Sequence, residues 1–229
     1  MRSIPELSEP ELYGDRDFGD FKFVEILSND IITVDMQYPK MGMRYAEQHC
    51  FVREEVYQML KDAANQLPAG YRFKIFDAWR PFVLQQELYE VYSDKIMNEF
   101  HLEGSSEEQK RAVIKKFVSE PVWDRDIPPV HTTGGAIDLT IIGKDGQELE
   151  MGTGFDAFTE KTYTSFFEKN EEDVVIRDNR RLLYHVMTEA GFTNLPSEWW
   201  HFDYGDRFWA FYNKKPALYR GVFTREEMH

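Results

Sequence analysis

The chain has 229 residues, and its 27 lysines and arginines against 41 aspartates and glutamates give a net charge of −14. This acidic balance excludes proteins that coat nucleic acids or bind anionic membranes through a basic surface. Hydrophobic residues make up 42% of the chain and aromatic residues 15%, which excludes wholesale disorder. We therefore expect a globular protein whose partner is neither a nucleic acid nor a membrane.

Cys50 is the only cysteine of the sequence, which excludes an intrachain disulfide and any metal site built from two or four thiolates. Its position at the start of a predicted helix favours a somewhat lowered thiol pKa. The first residues lack the apolar core of a secretory leader, and no stretch approaches the ~18 apolar residues of a membrane span. These observations predict a cytoplasmic protein, and they give no indication of its oligomeric state.

The first half of the chain predicts an irregular arm followed by strands and two helices. Residues 1–20 are polar and contain prolines and glycines, whereas residues 21–36 contain short apolar runs typical of strands. Apolar residues at helical spacing predict a helix over 51–67. Alternating apolar residues predict a strand over 71–77, and Pro81 can open the next helix.

The second half predicts a helix that begins at Ser105, which forms a capping box with Glu108. The further elements, in chain order, are a strand over 136–142 with a turn at Asp145-Gly146, a helix over 178–190, and aromatic strands over 199–204 and 208–212 joined at Gly205-Asp206. Strands follow helices here and do not alternate with them. This order favours an α+β fold with a small antiparallel sheet flanked by helices.

Two histidines stand close to carboxylates at the edges of predicted strands. His131 precedes Asp138 by seven positions, and Glu198 precedes His201 by three. A hydrolytic zinc site needs three protein ligands, an open position for water, and a carboxylate off the metal as general base. His131, Asp138 and His201 can supply the ligands, and Glu198 can supply the base. Each histidine alone is more commonly a packed or surface residue, so the pattern leaves both interpretations open.

The spacing of these residues sets two requirements on the backbone. In a flat strand, the histidine and the carboxylate of each pair would face opposite sides of the sheet. Gly134 and Gly135 can bend the first segment so that its two groups converge. In the second segment, Glu198 has to lie on a bend or bulge before the strand. A regular strand over 197–203 would contradict this prediction.

Two segments resemble the signatures of the zinc D-alanyl-D-alanine dipeptidases, the vancomycin-resistance-type enzymes that share a fold with zinc D,D-carboxypeptidases and the hedgehog signalling domain. They are His131…Gly134-x-Ala136-x-Asp138 and Glu198-Trp199-Trp200-His201. The segments that resemble the dipeptidase branch further are Asp77-Ala78-Trp79-Arg80-Pro81, Met151-Gly152-Thr153-Gly154-Phe155-Asp156 and Asn179-Arg180-Arg181-Leu182-Leu183. The resemblance covers most of the chain, in family order.

The resemblance implies a hedgehog/D,D-peptidase-like zinc fold, with residues 1–229 forming a single zinc dipeptidase domain. It implies one Zn²⁺ per chain, bound by His131, Asp138 and His201. Glu198 would take a proton from the zinc-bound water and pass it to the leaving amine. The implied reaction is hydrolysis of D-alanyl-D-alanine, or a closely related dipeptide, to free amino acids.

Three further roles follow from the resemblance. Arg80 would stabilise the negative charge of the tetrahedral intermediate, Asp156 would face the substrate's ammonium group, and Tyr38 would lie on the substrate side. From the residues alone, Arg80 can instead form a structural ion pair with Asp77, and Asp156 can instead be a turn carboxylate.

The sequence departs from the family pattern at two places on the expected substrate side. The segment after Tyr38 lacks the family's Asn-Phe-x-Gly, and Pro129 stands where the family often has serine. A somewhat different dipeptide therefore stays open as the substrate. A zinc carboxypeptidase that trims peptidoglycan stem peptides, and a non-enzymatic zinc-binding module of the same fold, are the alternative functions.

Overall fold

The computed structural model describes residues 1–11, 14–169 and 173–228, and His229 lies outside them. Two sheets are formed. In the smaller one, β1 (Phe23–Ile26) pairs antiparallel with β3 (Cys50–Arg53). The larger sheet has five strands, which are β2 (Ile32–Val34), β4 (Arg72–Asp77), β5 (Ala136–Ile142), β6 (Thr193–Asn194) and β7 (His201–Asp203).

The strands of the larger sheet follow the order β2-β4-β5-β7-β6. The pairs β4–β5, β5–β7 and β7–β6 are antiparallel, whereas β2 and β4 are parallel. A parallel pair needs a crossover connection, and here two helices and β3 lie between the two strands in the chain. The predicted α+β fold is confirmed, and its sheet is mixed where the sequence predicted an antiparallel one.

Helices surround this sheet. The α-helices are α1 (Gln37–Lys40), α2 (Glu54–Ala64), α3 (Phe82–Glu99), α4 (Glu107–Ile114), α5 (Val174–Glu189) and α6 (Arg207–Asn213), and short 3₁₀ turns span Val130–Thr133, Glu160–Thr162, Phe166–Lys169 and Arg225–Glu227. Within the described part of the chain, no helix combines the length and the apolar character that crossing a membrane requires.

The main core lies between the larger sheet and helices α2 and α5. Every residue of the central strand β5 is buried, and Ile137, Leu139 and Ile141 belong to this core. Because side chains alternate along a strand, Asp138 faces the opposite side of the sheet. There, α3 and α4 form a second apolar cluster beside a cleft. The sheet thus holds a buried carboxylate at the cleft.

The helix predicted over 51–67 begins only at Glu54. Residues Cys50–Arg53 form β3 because they pair with β1, and Cys50 and Val52 are buried there. The expected position of Cys50 at a helix start is therefore wrong. Burial raises the pKa of its thiol, so the predicted lowering is wrong as well.

The aromatic strand predicted over 208–212 is wrong. Residues Arg207–Asn213 form helix α6 because Asp206 caps it: its Oδ1 accepts the backbone N–H groups of Phe208 at 2.9 Å and Trp209 at 3.0 Å. An aspartate that accepts two free N–H groups in this way starts a helix. The Gly205-Asp206 pair therefore begins a helix and does not close a hairpin.

Other boundaries shift by a few residues. Ser106 and Gln109 form the capping box of α4, one position after the predicted pair. Helix α5 begins at Val174, four residues before the predicted start. The strand over 136–142 and the turn at Asp145-Gly146 occur as predicted.

The N-terminal arm lies against the last third of the chain. Ile4 is buried, and the Tyr212 hydroxyl donates to the carbonyl oxygen of Ser8 at 2.8 Å. The Ser197 hydroxyl donates to Glu9 Oε2 at 3.3 Å. The arm is irregular, as the sequence predicts, yet it is held at several points along its length.

Arg180 of α5 holds a long irregular segment in place. Its guanidinium donates to the carbonyl oxygens of Met151 at 2.8 Å, Lys161 at 2.7 Å and Tyr163 at 2.7 Å. The side chain is almost fully buried. These three bonds fix both ends of the segment over 151–163, because each accepting carbonyl would otherwise be left without a donor in the interior.

We expect Arg180→Met to lower the free energy of unfolding by about 3 kcal/mol, because three buried carbonyl oxygens lose a charged donor. The measurement is urea unfolding followed by tryptophan fluorescence. The matched control is Arg177→Met on the same helix, whose side chain pairs with Asp178 at the surface. The control substitution should lower the free energy of unfolding by less than about 1 kcal/mol. Equal effects of the two substitutions would contradict this account of Arg180.

Candidate active site

Neighbouring strands of the larger sheet bring three charged residues into one row. Asp138 of β5 pairs directly with His201 of β7 on one side and with Asp77 of β4 on the other. Residues directly opposite each other in an antiparallel pair project to the same face. A bulge between Ile75 and Asp77 shifts the register of β4 at this point. The row therefore faces the cleft as a unit.

His131 reaches the same place from the 3₁₀ turn before β5. Gly134 follows this turn with φ 75°, and a Cβ atom there would lie 2.3 Å from a ring carbon of Phe23. At Gly135, a Cβ atom would lie 2.3 Å from the carbonyl oxygen of Tyr204. Only glycine fits this tight bend. The predicted convergence of His131 and Asp138 through these two glycines is present in the structure.

The side chains of His131, Asp138 and His201 form a cluster with the geometry of a metal site. One ligand atom from each lies within 4.8 Å of the others, and all three residues are buried. His131 Nε2 lies 3.2 Å from His201 Nδ1, which lies 2.9 Å from Asp138 Oδ1. No other group of three such residues within this distance is found in the described part of the chain.

The outer ring nitrogens of both histidines have partners that orient the rings. His131 Nδ1 donates to the carbonyl oxygen of Ala78 at 2.7 Å, which leaves Nε2 free of a proton. His201 Nε2 lies 2.8 Å from Asp203 Oδ1 and donates to it, so Nδ1 faces Asp138 and His131. Such partners are typical of metal-ligating histidines. Two imidazole nitrogens and a carboxylate oxygen are a donor set that fits Zn²⁺.

Glu198 lies in the turn before β7, as the sequence requires. Its backbone N–H donates to the carbonyl oxygen of Leu195 at 3.0 Å, and the strand begins only at His201. Glu198 Oε2 lies 3.8 Å from His201 Nδ1. Burial raises the pKa of the Glu198 carboxyl to about 8, against the lowering effect of His201. The prediction that no regular strand spans 197–203 holds.

Arg80 is buried, and each nitrogen of its guanidinium donates a hydrogen bond. It donates to Asp77 Oδ2 from Nε at 3.0 Å and from Nη2 at 2.8 Å, and to Gln85 Oε1 from Nη1 at 2.7 Å. Its Nη2 also lies 3.2 Å from the Tyr38 hydroxyl and 3.8 Å from Asp138 Oδ2. The ion pair with Asp77 is thus present, and it holds the guanidinium at the edge of the cleft.

Asp156 lines the cleft together with the metal cluster. Its Oδ2 accepts hydroxyl groups from Tyr38 at 2.8 Å and from Tyr92 at 2.7 Å. Burial, and then the charge of Asp138, raise the pKa of Asp156 to about 6. Its backbone has φ 55°, a left-handed conformation that non-glycine residues adopt rarely. The structure places this carboxylate where a bound molecule can contact it.

One cleft joins all of these groups. The predicted site residues that line it are Tyr38, Arg80, His131, Asp138, Asp156, Glu198 and His201. The other residues of its wall are Gln85, Leu88, Tyr92, Phe117, Val118, Ser119, Pro129, Val130, Leu195 and Phe208.

Sequence reasoning missed several residues of the site. Asp203 lies two positions after His201, so its place on the same face of β7 was readable from strand alternation. Gln85 and Tyr92 are on α3, where helical spacing indicated only a packed face. Nothing in a single sequence shows that this helix crosses the cleft.

Comparison with known proteins agrees with this geometry. The Peptidase M15 family model, described as D-ala-D-ala dipeptidase, matches residues 37–218. The chain belongs to this family. It is a metallopeptidase, and the cofactor of these enzymes, zinc, suits the His–Asp–His cluster.

Two curated relatives match over most of their length. A D-alanyl-D-alanine dipeptidase of Synechocystis is 29% identical over 196 residues, which are 78% of this chain and 79% of the relative. One of Escherichia coli is 28% identical over 160 residues, 69% of each chain. A solved vancomycin resistance D,D-pentapeptidase VanY in complex with Zn(II) is 15% identical, with a TM-score of 0.43 over 76% of this chain and 85% of its own.

We expect Asp203→Asn to weaken zinc binding by about 10- to 100-fold, because the carboxylate that orients and polarises His201 is lost. The measurement is competition for Zn²⁺ between the metal-free protein and a chromophoric chelator. The control is Asp62→Asn, an exposed aspartate on α2. An affinity that stays within twofold in Asp203→Asn would show that this contact does not support the metal site.

Proposed function

We propose that the protein hydrolyses D-alanyl-D-alanine, or a closely related dipeptide, at one Zn²⁺ held by His131, Asp138 and His201. The observation that carries the proposal is the buried cluster of these three residues with Glu198 beside it, 3.8 Å from His201. Three ligands with one unliganded carboxylate are the composition of a hydrolytic zinc site, whereas a structural zinc site is closed by four ligands.

A zinc ion held there supplies a Lewis acid that polarises the peptide carbonyl and lowers the pKa of a water molecule. Glu198 accepts a proton from the attacking water and later donates it to the leaving amine. Burial favours this role because it raises the pKa of Glu198 to about 8, and a group with a pKa near neutrality both takes up and releases a proton. Because Glu198 lies in the turn before β7, its carboxylate is not one of the metal ligands.

Arg80 stabilises the negative charge that develops on the carbonyl oxygen during attack. Its guanidinium is held by Asp77 and Gln85 before substrate arrives, so little reorganisation is needed at the moment of reaction. A fixed positive charge acts strongly in a site from which water is largely excluded. The ion pair with Asp77 and the catalytic role of Arg80 are therefore compatible, because the ion pair orients the guanidinium toward the developing charge.

Asp156 binds the ammonium group of the substrate. Only its Oδ2 accepts the hydroxyls of Tyr38 and Tyr92, so Oδ1 stays available for a ligand. A carboxylate at one end of a small cleft favours a substrate with a free amino terminus close to the reacting carbonyl. This favours a dipeptide over the stem peptide of the carboxypeptidase alternative, since a longer chain has no ammonium group at that distance.

The named relatives support the same substrate, because both are D-alanyl-D-alanine dipeptidases. The non-enzymatic alternative is disfavoured, since a zinc module without activity has no use for Glu198. Residues 1–229 acting as a single zinc dipeptidase domain, and a cytoplasmic location, stay predictions of the sequence.

We expect Glu198→Gln to keep one zinc ion per chain and to lower kcat by at least about 10³-fold, because general acid–base assistance is removed while the ligands stay. The measurements are metal content and a coupled assay for released D-alanine. Glu189→Gln, at an exposed glutamate of α5, is the control and should keep full activity. Full activity of Glu198→Gln, or of the chelator-treated enzyme, would contradict the mechanism.

We expect Asp156→Asn to raise KM for D-alanyl-D-alanine by about 10-fold or more with a smaller effect on kcat, because the charge that binds the ammonium group is lost. The amide keeps the size of the side chain and still accepts the two tyrosine hydroxyls. The discriminating measurement compares the dipeptide with its N-acetyl derivative. The unaltered enzyme should strongly prefer the dipeptide with the free amine, and Asp156→Asn should lose that preference. An unchanged preference would show that another residue binds the ammonium group.

A further inference from the structure

Few cationic side chains are available to a dipeptide in this cleft. Asp138 belongs to the metal cluster, Asp156 and Glu198 line both the cleft and the smaller pocket that adjoins it, and the lysine and arginine side chains that line them are Arg80 and Lys116. Arg80 already contacts Asp77, Gln85 and Tyr38. A dipeptide also carries a carboxylate, which needs a positive partner when it leaves water. Lys116 is the cation that remains.

The adjoining pocket is lined by both Glu198 and Asp156. Its wall residues are Lys116, Phe117, Asp156, Ala157, Phe158, Thr162, Ser197, Glu198 and Trp200. It shares Phe117, Asp156 and Glu198 with the main cleft, so the two spaces adjoin at these three residues. The amine that Glu198 protonates belongs to the substrate's C-terminal residue. That residue therefore lies beside Glu198, within reach of the pocket that Lys116 also lines.

The main chain that carries Lys116 is fixed by its neighbours. Its N–H donates to the carbonyl oxygen of Val113 at 3.1 Å, which continues α4 by one turn. The Phe117 ring packs against Phe158 at 5.8 Å between ring centroids. Gln85 Nε2 donates to the carbonyl oxygen of Ser119 at 2.8 Å, and the same Gln85 also holds Arg80.

The ammonium group of Lys116 is available for a ligand. Lys110, on the same helix, pairs with Glu107 at 2.8 Å, but Lys116 has no carboxylate within ion-pair distance in the described part of the chain. A lysine without a partner at the mouth of an acidic cleft keeps its full charge for an incoming anion. Its neighbour Lys115 does not line either space.

We infer that Lys116 binds the C-terminal carboxylate of the substrate, while Asp156 contacts its ammonium group. The inference rests on the proposed function and deepens it. Two contacts of opposite sign at a fixed separation would select substrates in which both charged ends flank one peptide bond. Lys116 would thereby be a specificity residue that excludes peptides extended or blocked at the C terminus.

The test compares hydrolysis of D-alanyl-D-alanine with that of its C-terminal amide, D-alanyl-D-alaninamide. In the unaltered enzyme, kcat/KM should be higher for the free acid. In Lys116→Met, we expect this preference to fall by about 10-fold, through KM for the acid, while the amide is hydrolysed as before. Lys116→Arg should restore most of the preference because it restores the charge.

The control is Lys115→Met, which removes a charge one position earlier and should leave the preference unchanged. A preference that persists in Lys116→Met would overturn the inference while the proposed function stands. Equal loss of activity on both compounds would also overturn it, since that result indicates a structural role. If the unaltered enzyme hydrolyses neither compound, the proposed function fails and the inference fails with it.

Discussion

The pairing of Asp138 with His201 across β5 and β7 is the constraint on which the rest of the site depends. Directly paired residues project to the same face, so a shift of one residue in this register would send the two ligands to opposite sides. The register is held by the apolar side of β5, whose Ile137 and Leu139 have to face the core. The hydrophobic core therefore sets the geometry of the metal cluster.

Burial makes this arrangement both costly and rigid. Asp77, Asp138 and Asp203 are almost fully buried, and an unpaired charge at such depth would be strongly destabilising. Each of them has a partner: Arg80 holds Asp77, and His201 lies between Asp138 and Asp203. Because the charges satisfy one another before any substrate binds, the polar groups of the cleft are oriented in advance, which is the condition for effective stabilisation of a developing charge.

The sequence allowed the metal cluster to be predicted because its residues come from two short segments that resemble the signatures of the dipeptidase family, whereas their spacing alone left a packed or surface role open. The prediction of Glu198 on a bend depended only on the alternation of side chains along a strand. Residues such as Gln85 and Tyr92 could not be identified, because their roles depend on where α3 crosses the cleft, and no local pattern encodes that. The helix at 207–213 was missed for a different reason: its aromatic residues resemble a strand, and the side chain of Asp206 decides otherwise.

The active site also has a contact with the N-terminal arm. The arm lies outside residues 37–218, the part of the chain that the family shares. Glu9 accepts the hydroxyl of Ser197, the residue immediately before Glu198. A variant in which Glu9 is replaced would keep every residue of the cleft and still lose this contact. A substitution in the arm can therefore alter turnover without any change in the residues that bind metal or substrate.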